Sequence, residues 1–208
     1  MSAILAAGYK AKLFWIEETT EGTPPSGGTP APTYNADYAF VEERISRDII
    51  THPTVGGRDW AFLEHGLKTY RLSITHFPVN NNLINYAVGN IDKSLTFWIQ
   101  YPDLSVDHVF SACKINSLRL TGSAGTNTQA VLDAWCAKMT TIAPTATQGS
   151  LPTALPYHGR DGYVKVNGVT KPEFRAWSVE INNNLEAIPQ LGSDEIRFTR
   201  ERNRVVTG

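Results

Sequence analysis

The chain has 208 residues, with 19 basic and 20 acidic side chains and a formal net charge of −1. That length allows one elaborated domain with a sizeable core, the charge balance argues against a general nucleic-acid binder, which carries a basic excess, and 41% apolar residues exclude global disorder. The apolar start Ala3–Ala7 is too short for a secretory leader, and no run approaches the roughly 18 apolar residues that span a membrane, so a cytoplasmic origin without membrane insertion is expected.

Tyr9–Glu18 (YKAKLFWIEE) reads as a first strand, rich in aromatic and β-branched residues. Thr19–Asp37 is rich in Pro and Gly, so no packed element is expected there. It reads as a long loop or arm at 19–37, either ordered on a neighbouring copy or a plain surface loop. Tyr38–His52 and Trp60–His76 are two long strand candidates around a turn-like Pro53–Asp59. Such arms far exceed the usual strand of about five or six residues, so the hairpin at 38–76 needs something to cover it. Asn80-Asn81-Asn82 before Leu83–Val88, with Gly89 after, predicts one helix capped by Asn and closed by Gly. Strands follow at Ser94–Tyr101, Cys113–Thr121, Gln129–Lys138 and Gly162–Val166, with Thr140–Tyr157 as a crossing loop. Regular strand spacing with turn signals gives a mainly β fold, a β-sandwich or barrel with one flanking helix and a long protruding hairpin. Residues 1–208 read as a single domain.

The last fifth carries two more strands. Trp177, Val179 and Ile181 alternate with Ser178 and Glu180, the period of a half-buried strand, which stops at Asn182-Asn183-Asn184. Asn tolerates the left-handed backbone that a bend there needs. The final strand, from about Glu195, puts Ile196, Phe198, Arg200, Arg202 and Arg204 on one face. That comb of arginines has three readings: pairing with Glu42, Glu43 or Glu64 of an adjacent subunit, contact with DNA, or a solvated face. Pairing fits the near-neutral charge balance best, because a nucleic-acid surface carries a basic excess.

The two cysteines, Cys113 and Cys136, lie in the arms of a hairpin centred on Gly122–Gly125. Setting Leu118 against Leu132 and Ile115 against Trp135 puts them on opposite faces, so two buried thiols are expected. No histidine or cysteine spacing marks a metal site, and the five histidines form no ligand pair. His158–Gly162 reads as a turn. Glu42-Glu43 and Glu17-Glu18 point to opposite sides of a strand and cannot share a substrate. With no nucleophile elbow, phosphate loop or dinucleotide fingerprint, no enzyme and no cofactor are expected.

Two blocks carry a resemblance. INNNLE (Ile181–Glu186), a linker with LGS (Leu191–Ser193) and a closing strand to Val206 resemble the tail-tube (major tail) proteins of long-tailed bacteriophages and related archaeal tailed viruses. KINSLRLTGSAGTNTQAVLDAWCAK (Lys114–Lys138) is similar to that family's hairpin, and the likeness covers roughly residues 38–206. The resemblance implies a β-sandwich subunit that forms hexameric rings, stacked into a tube. Its lumen first holds the tape-measure protein and then passes DNA, and tail-tip and tail-terminator proteins meet its ends. The expected location is the virion tail, after assembly in the host cytoplasm. It also implies that the long hairpin reaches neighbouring subunits, which makes Val55, Gly56, Gly57, Arg58 and Asp59 at its tip candidate interface residues. Glu42, Glu43, Glu64, Arg200, Arg202 and Arg204 are the charged candidates. The alternative is a carbohydrate- or protein-binding β-sandwich module using tryptophans such as Trp60, Trp98 and Trp177.

Overall fold

The computed structural model describes residues 12–24, 33–34, 38–53, 60–143, 155–159, 164–171, 175–189, 191–200 and 203–208. Two antiparallel sheets share one strand. That strand, β6 (Val106–Ser123), pairs through its first half with β5 (Leu95–Tyr101) and β8 (Lys138–Ile142), and through its second half with β7 (Gln129–Cys136) and β11 (Ala176–Asn182). The first sheet continues from β5 to β1 (Lys12–Glu17) and β2 (Thr33–Tyr34). The second runs β3 (Tyr38–Pro53), β4 (Trp60–His76), β7, β6, β11, β14 (Val205–Thr207), with every neighbour antiparallel. One main apolar core lies between the sheets, drawing Leu13, Phe97 and Phe110 from the first and Leu72, Ile74, Leu118 and Leu132 from the second.

β6 changes sheets at Ala112, whose φ is 51°. An alanine held there is strained, because the left-handed region crowds Cβ. A buried carboxylate supports the corner: Glu18 Oε1 accepts from the Ala112 amide at 2.9 Å and from Thr96 Oγ1 at 2.6 Å, and Oε2 accepts from the Gly22 amide at 2.8 Å. The corner also explains why Val109–Ile115 are buried without alternation, since each face of β6 is covered in turn. This continuous run hid the first half of β6 from a period-2 reading, which began the strand at Cys113.

Asn183, 1% exposed, ties the other end together. Its Nδ2 donates to the carbonyls of Ala87 and Ile115, its amide donates to the Asn116 carbonyl, and its Oδ1 accepts from Arg204 Nε. Asn184 takes the expected left-handed backbone, φ 48°. The helix α1 spans only Asn85–Val88, with Ile84 at its N-cap and no side-chain cap. The asparagines expected to cap it serve otherwise: Asn80 Oδ1 accepts from the Asn82 amide, and the Asn81 carbonyl from Asn85.

Four further expectations are corrected. The 19–37 segment does hold a short strand, because Thr33 and Tyr34 pair with Trp15 and Phe14. The strand expected at Gly162–Val166 is one arm of a hairpin, β9 (Val164–Val166) and β10 (Val169–Lys171), turned by Asn167-Gly168 with both φ positive, a pair that suits a two-residue turn. The final strand is divided: β13 (Ile196–Arg200) pairs with β12 (Glu186–Pro189), and β14 starts only at Val205. Finally, Cys113 and Cys136 form a disulfide. Leu118 does face Leu132, but the register shifts between Ile115 and Ser117, so Ile115 faces Ala134 and the parity argument fails. One extra residue in β6 returns Cys113 to the face of Cys136.

Candidate functional site

Among the described residues, no group of His, Cys, Asp or Glu is arranged to hold a metal. The second sheet offers two edges and one outward face. At one edge β3 exposes Arg44, Ile45, Ser46, Arg47 and Asp48; at the other, Val205, Val206 and Thr207 of β14 are all exposed. Among the described residues, neither strand pairs on its outer side.

The strand period separates the two neighbouring carboxylates. Glu42 faces outward, and Arg44, two residues along, donates to it from Nε and Nη2 at 3.0 Å each. That ion pair holds the Glu42 carboxyl below the usual range. Glu43 points inward to the other sheet, where Tyr101 Oη donates at 2.7 Å and His108 Nδ1 lies 2.8 Å away. It links the base of the long hairpin to β5 and β6.

Farther along the same inner side, Asp194 from the β12–β13 turn pairs with both Arg47 of β3 and Lys68 of β4, and the Asp194 carbonyl accepts from the Lys68 amide at 2.7 Å. This supplies the cover that the hairpin's length demands. The candidates at its tip, Val55, Gly56, Gly57, Arg58 and Asp59, lie outside the described residues, as does Arg202. Glu64 stands opposite Ile50 in β4, and Arg200 opposite Glu186 in β13. Arg204 precedes β14 and turns onto its own chain, donating from Nε to Asn183 Oδ1 at 2.9 Å and from Nη1 to the Val88 carbonyl at 2.7 Å. A cation at that carbonyl complements the helix end.

The outward face of the sheet brings together residues that the sequence reading did not single out. Arg71 stands directly opposite both Arg44 and Trp135 and lies over the indole, 4.3 Å from the ring centre. Trp135 Nε1 donates to Asp133 Oδ2 at 3.0 Å. Burial pushes the Asp133 carboxyl up, opposed by hydrogen bonds from Trp135 and Asn116 and by the Arg71 and Arg44 charges. Arg119 stands opposite Glu180. The alternation QAVLDAWC of β7 was the available signal for this face.

At the end of the sheet away from the hairpin tip, an open groove of about 660 Å³ is lined by Phe77, Trp177, Thr126, Asn127, Gln129 and other uncharged residues. A Cβ on Gly122 would sit 2.7 Å from the Trp177 ring, so only glycine lets the indole rest on β6. Trp98, by contrast, is buried.

A family model described as phage tail tube protein matches residues 8–208. No curated protein matches the chain.

Proposed function

The chain belongs to the phage tail tube protein family and is a structural protein of the virion tail, and we propose that it assembles into stacked hexameric rings whose lumen conducts the genome. The reading includes no enzymatic role. No described helix is long and apolar enough to cross a membrane, and the proposed partners are copies of the chain, the tape-measure protein and then DNA in the lumen, and tail-tip and tail-terminator proteins at the ends. Assembly is placed in the host cytoplasm.

The observation that carries this reading is strand parity. Among the described residues the second sheet has an even number of strands, β3-β4-β7-β6-β11-β14, all antiparallel, so its two edges run in opposite directions. The β14 edge of one copy therefore meets the β3 edge of an equally oriented copy as an antiparallel pair. Rotation alone can repeat that joint until the sheet closes, and closure removes edges that would otherwise aggregate. The first sheet covers the inner side, which leaves the outward face to line the lumen.

The hairpin tip, Val55–Asp59, is the proposed contact between subunits beyond this joint. Separately, Arg200 and Arg202 are proposed to pair with Glu64 of an adjacent copy, while Glu42 stays with Arg44 of its own chain and Glu43 and Arg204 set the strands beside the edges. A second reading, a glycan- or peptide-binding module, is favoured only by the uncharged aromatic groove at Trp177.

Electron microscopy and light scattering of the purified chain test the proposal. Tubes or rings are expected from the wild type. Val205→Lys with Val206→Lys blunts the β14 edge and should leave folded subunits that do not assemble. Normal tubes from that variant would refute the joint. A wild type that stays monomeric and binds a glycan array would favour the second reading.

A further inference from the structure

We infer that the outward face of the six-stranded sheet is a self-neutralised wall, suited to letting a DNA duplex slide past without holding it. This rests on the conduit reading above. Where β3, β4, β7, β6 and β11 run side by side, its described charged residues in the register are four cations, Arg44, Arg71, Lys114 and Arg119, and three carboxylates, Glu42, Asp133 and Glu180; Lys114 is buried, and its Nζ lies 3.5 Å from Glu21 Oε2 of its own chain. Hydroxyl-bearing residues such as Ser73 and Ser117 separate them.

The arrangement, more than the count, carries the inference. Arg44 and Arg71 are directly opposed on neighbouring strands, a pairing of like charges that costs stability unless each is drawn elsewhere. Each is. Arg44 reaches along its own strand to both oxygens of Glu42. Arg71 lies over Trp135, whose ring nitrogen is bound to Asp133, and a guanidinium over an indole face is attracted by the ring's electron density. Arg119 has Glu180 opposite on β11. Every arginine of the face thus has a carboxylate or an aromatic ring of its own chain beside it.

A duplex carries one negative charge per about 1.7 Å of axis, and each cation that neutralises a phosphate adds to binding. In a tube, any uncompensated cation recurs in every subunit of every ring. Linked weak sites multiply into strong retention, so a cation left free would turn a conduit into a trap. A wall of carboxylates alone would repel the duplex. Local pairing avoids both outcomes.

The test uses the full chain, a fluorescent blunt-ended DNA duplex and anisotropy at low salt, with micrographs of the same samples. Wild type is expected to show little or no binding. Glu42→Gln with Glu180→Gln releases Arg44 and removes the carboxylate that faces Arg119 in the register, and should tighten binding at least about tenfold, lost again as salt is raised. Adding Arg44→Gln and Arg119→Gln should abolish the gain. Equal binding by wild type and the double variant, or a gain that survives loss of the arginines, would overturn the inference. Subunits that remain unassembled in the micrographs count against the tube; they leave the binding comparison intact, so the two failures are distinguishable.

Discussion

The two faces of the second sheet are built from alternate residues of the same strands, yet they follow different rules. On the inward face, Leu72, Ile74, His76, Leu118 and Leu132 are buried, and the polar groups at its margins, Glu43 and Asn183, have partners from other elements. On the outward face, Arg44, Arg119 and Glu180 sit in the open and Glu42 is partly exposed. A desolvated polar atom that loses its partner costs the full desolvation penalty, whereas an exposed ion pair contributes little. The inward face therefore specifies the fold, and the outward face is available for function. If that division is right, effects of substitution should fall steeply from one face to the other.

The largest effect is expected at Asn183. Asn183→Ala leaves the Ala87 and Ile115 carbonyls and Arg204 Nε without their side-chain partner. A loss of about 3–4 kcal/mol in denaturant unfolding is expected, from several buried groups at about 1–3 kcal/mol each. Asn183→Asp, the same shape without the two donors, should be similarly damaging. A loss well under 1 kcal/mol for both would mean that the inward face does not depend on its polar nodes.

His76 tests the same face through pH. It is 1% exposed, and Nδ1 has no partner among the described residues. Burial alone holds its pKa down, from 6.5 to about 4. Between those values the unfolded chain binds a proton that the folded chain does not. His76 therefore lets stability fall as pH drops from about 6.5 to about 4, and its share is constant outside that window. The full difference is about 3 kcal/mol at about 1.4 kcal/mol per pKa unit. His76→Leu should flatten that part of the stability profile. Parallel profiles for wild type and variant would place the histidine in water.

How far the sequence revealed this division depended on whether a face keeps its period. β7 and β11 alternate cleanly, and both their position and their faces could be read from the chain. β6 could be read only from Cys113 onward, because at Ala112 it passes from one sheet to the other and loses its period. The disulfide was missed for a related reason. The bulge at Asn116 is held by residues nearly seventy positions away: Asn116 Oδ1 accepts from the Leu185 amide and its carbonyl from Asn183. Nothing local to Asn116 announces it. The single final strand expected for the arginines is divided for a different reason: β13 turns back on β12, while β14 joins β11. The cluster of Arg71, Trp135 and Asp133 needed the register of three strands, which no single stretch contains.

The sharpest form of the comparison is a pair of neighbours, Glu42 and Glu43, with the same chemistry and one peptide bond between them. Glu43 lies between the sheets, accepting from Tyr101 and held against His108. In Glu43→Gln the oxygen can still accept from Tyr101, but the amide nitrogen then faces His108 Nδ1, and a hydrogen bond to a charged group is lost. A cost of about 1–2 kcal/mol follows, and unfolding should begin at the hairpin base, visible as faster amide exchange in β3 than in β7. Glu42→Gln breaks an ion pair at the surface, with Arg44 exposed and Glu42 partly so. Its thermal midpoint should match that of the wild type, because exposed pairs of this kind are screened and conformationally costly to hold. What should change is the surface: with Arg44 released, the variant gains affinity for a polyanion without loss of fold. A Glu42→Gln midpoint as low as that of Glu43→Gln would show the outward face to be structural, and the division between the faces would not hold.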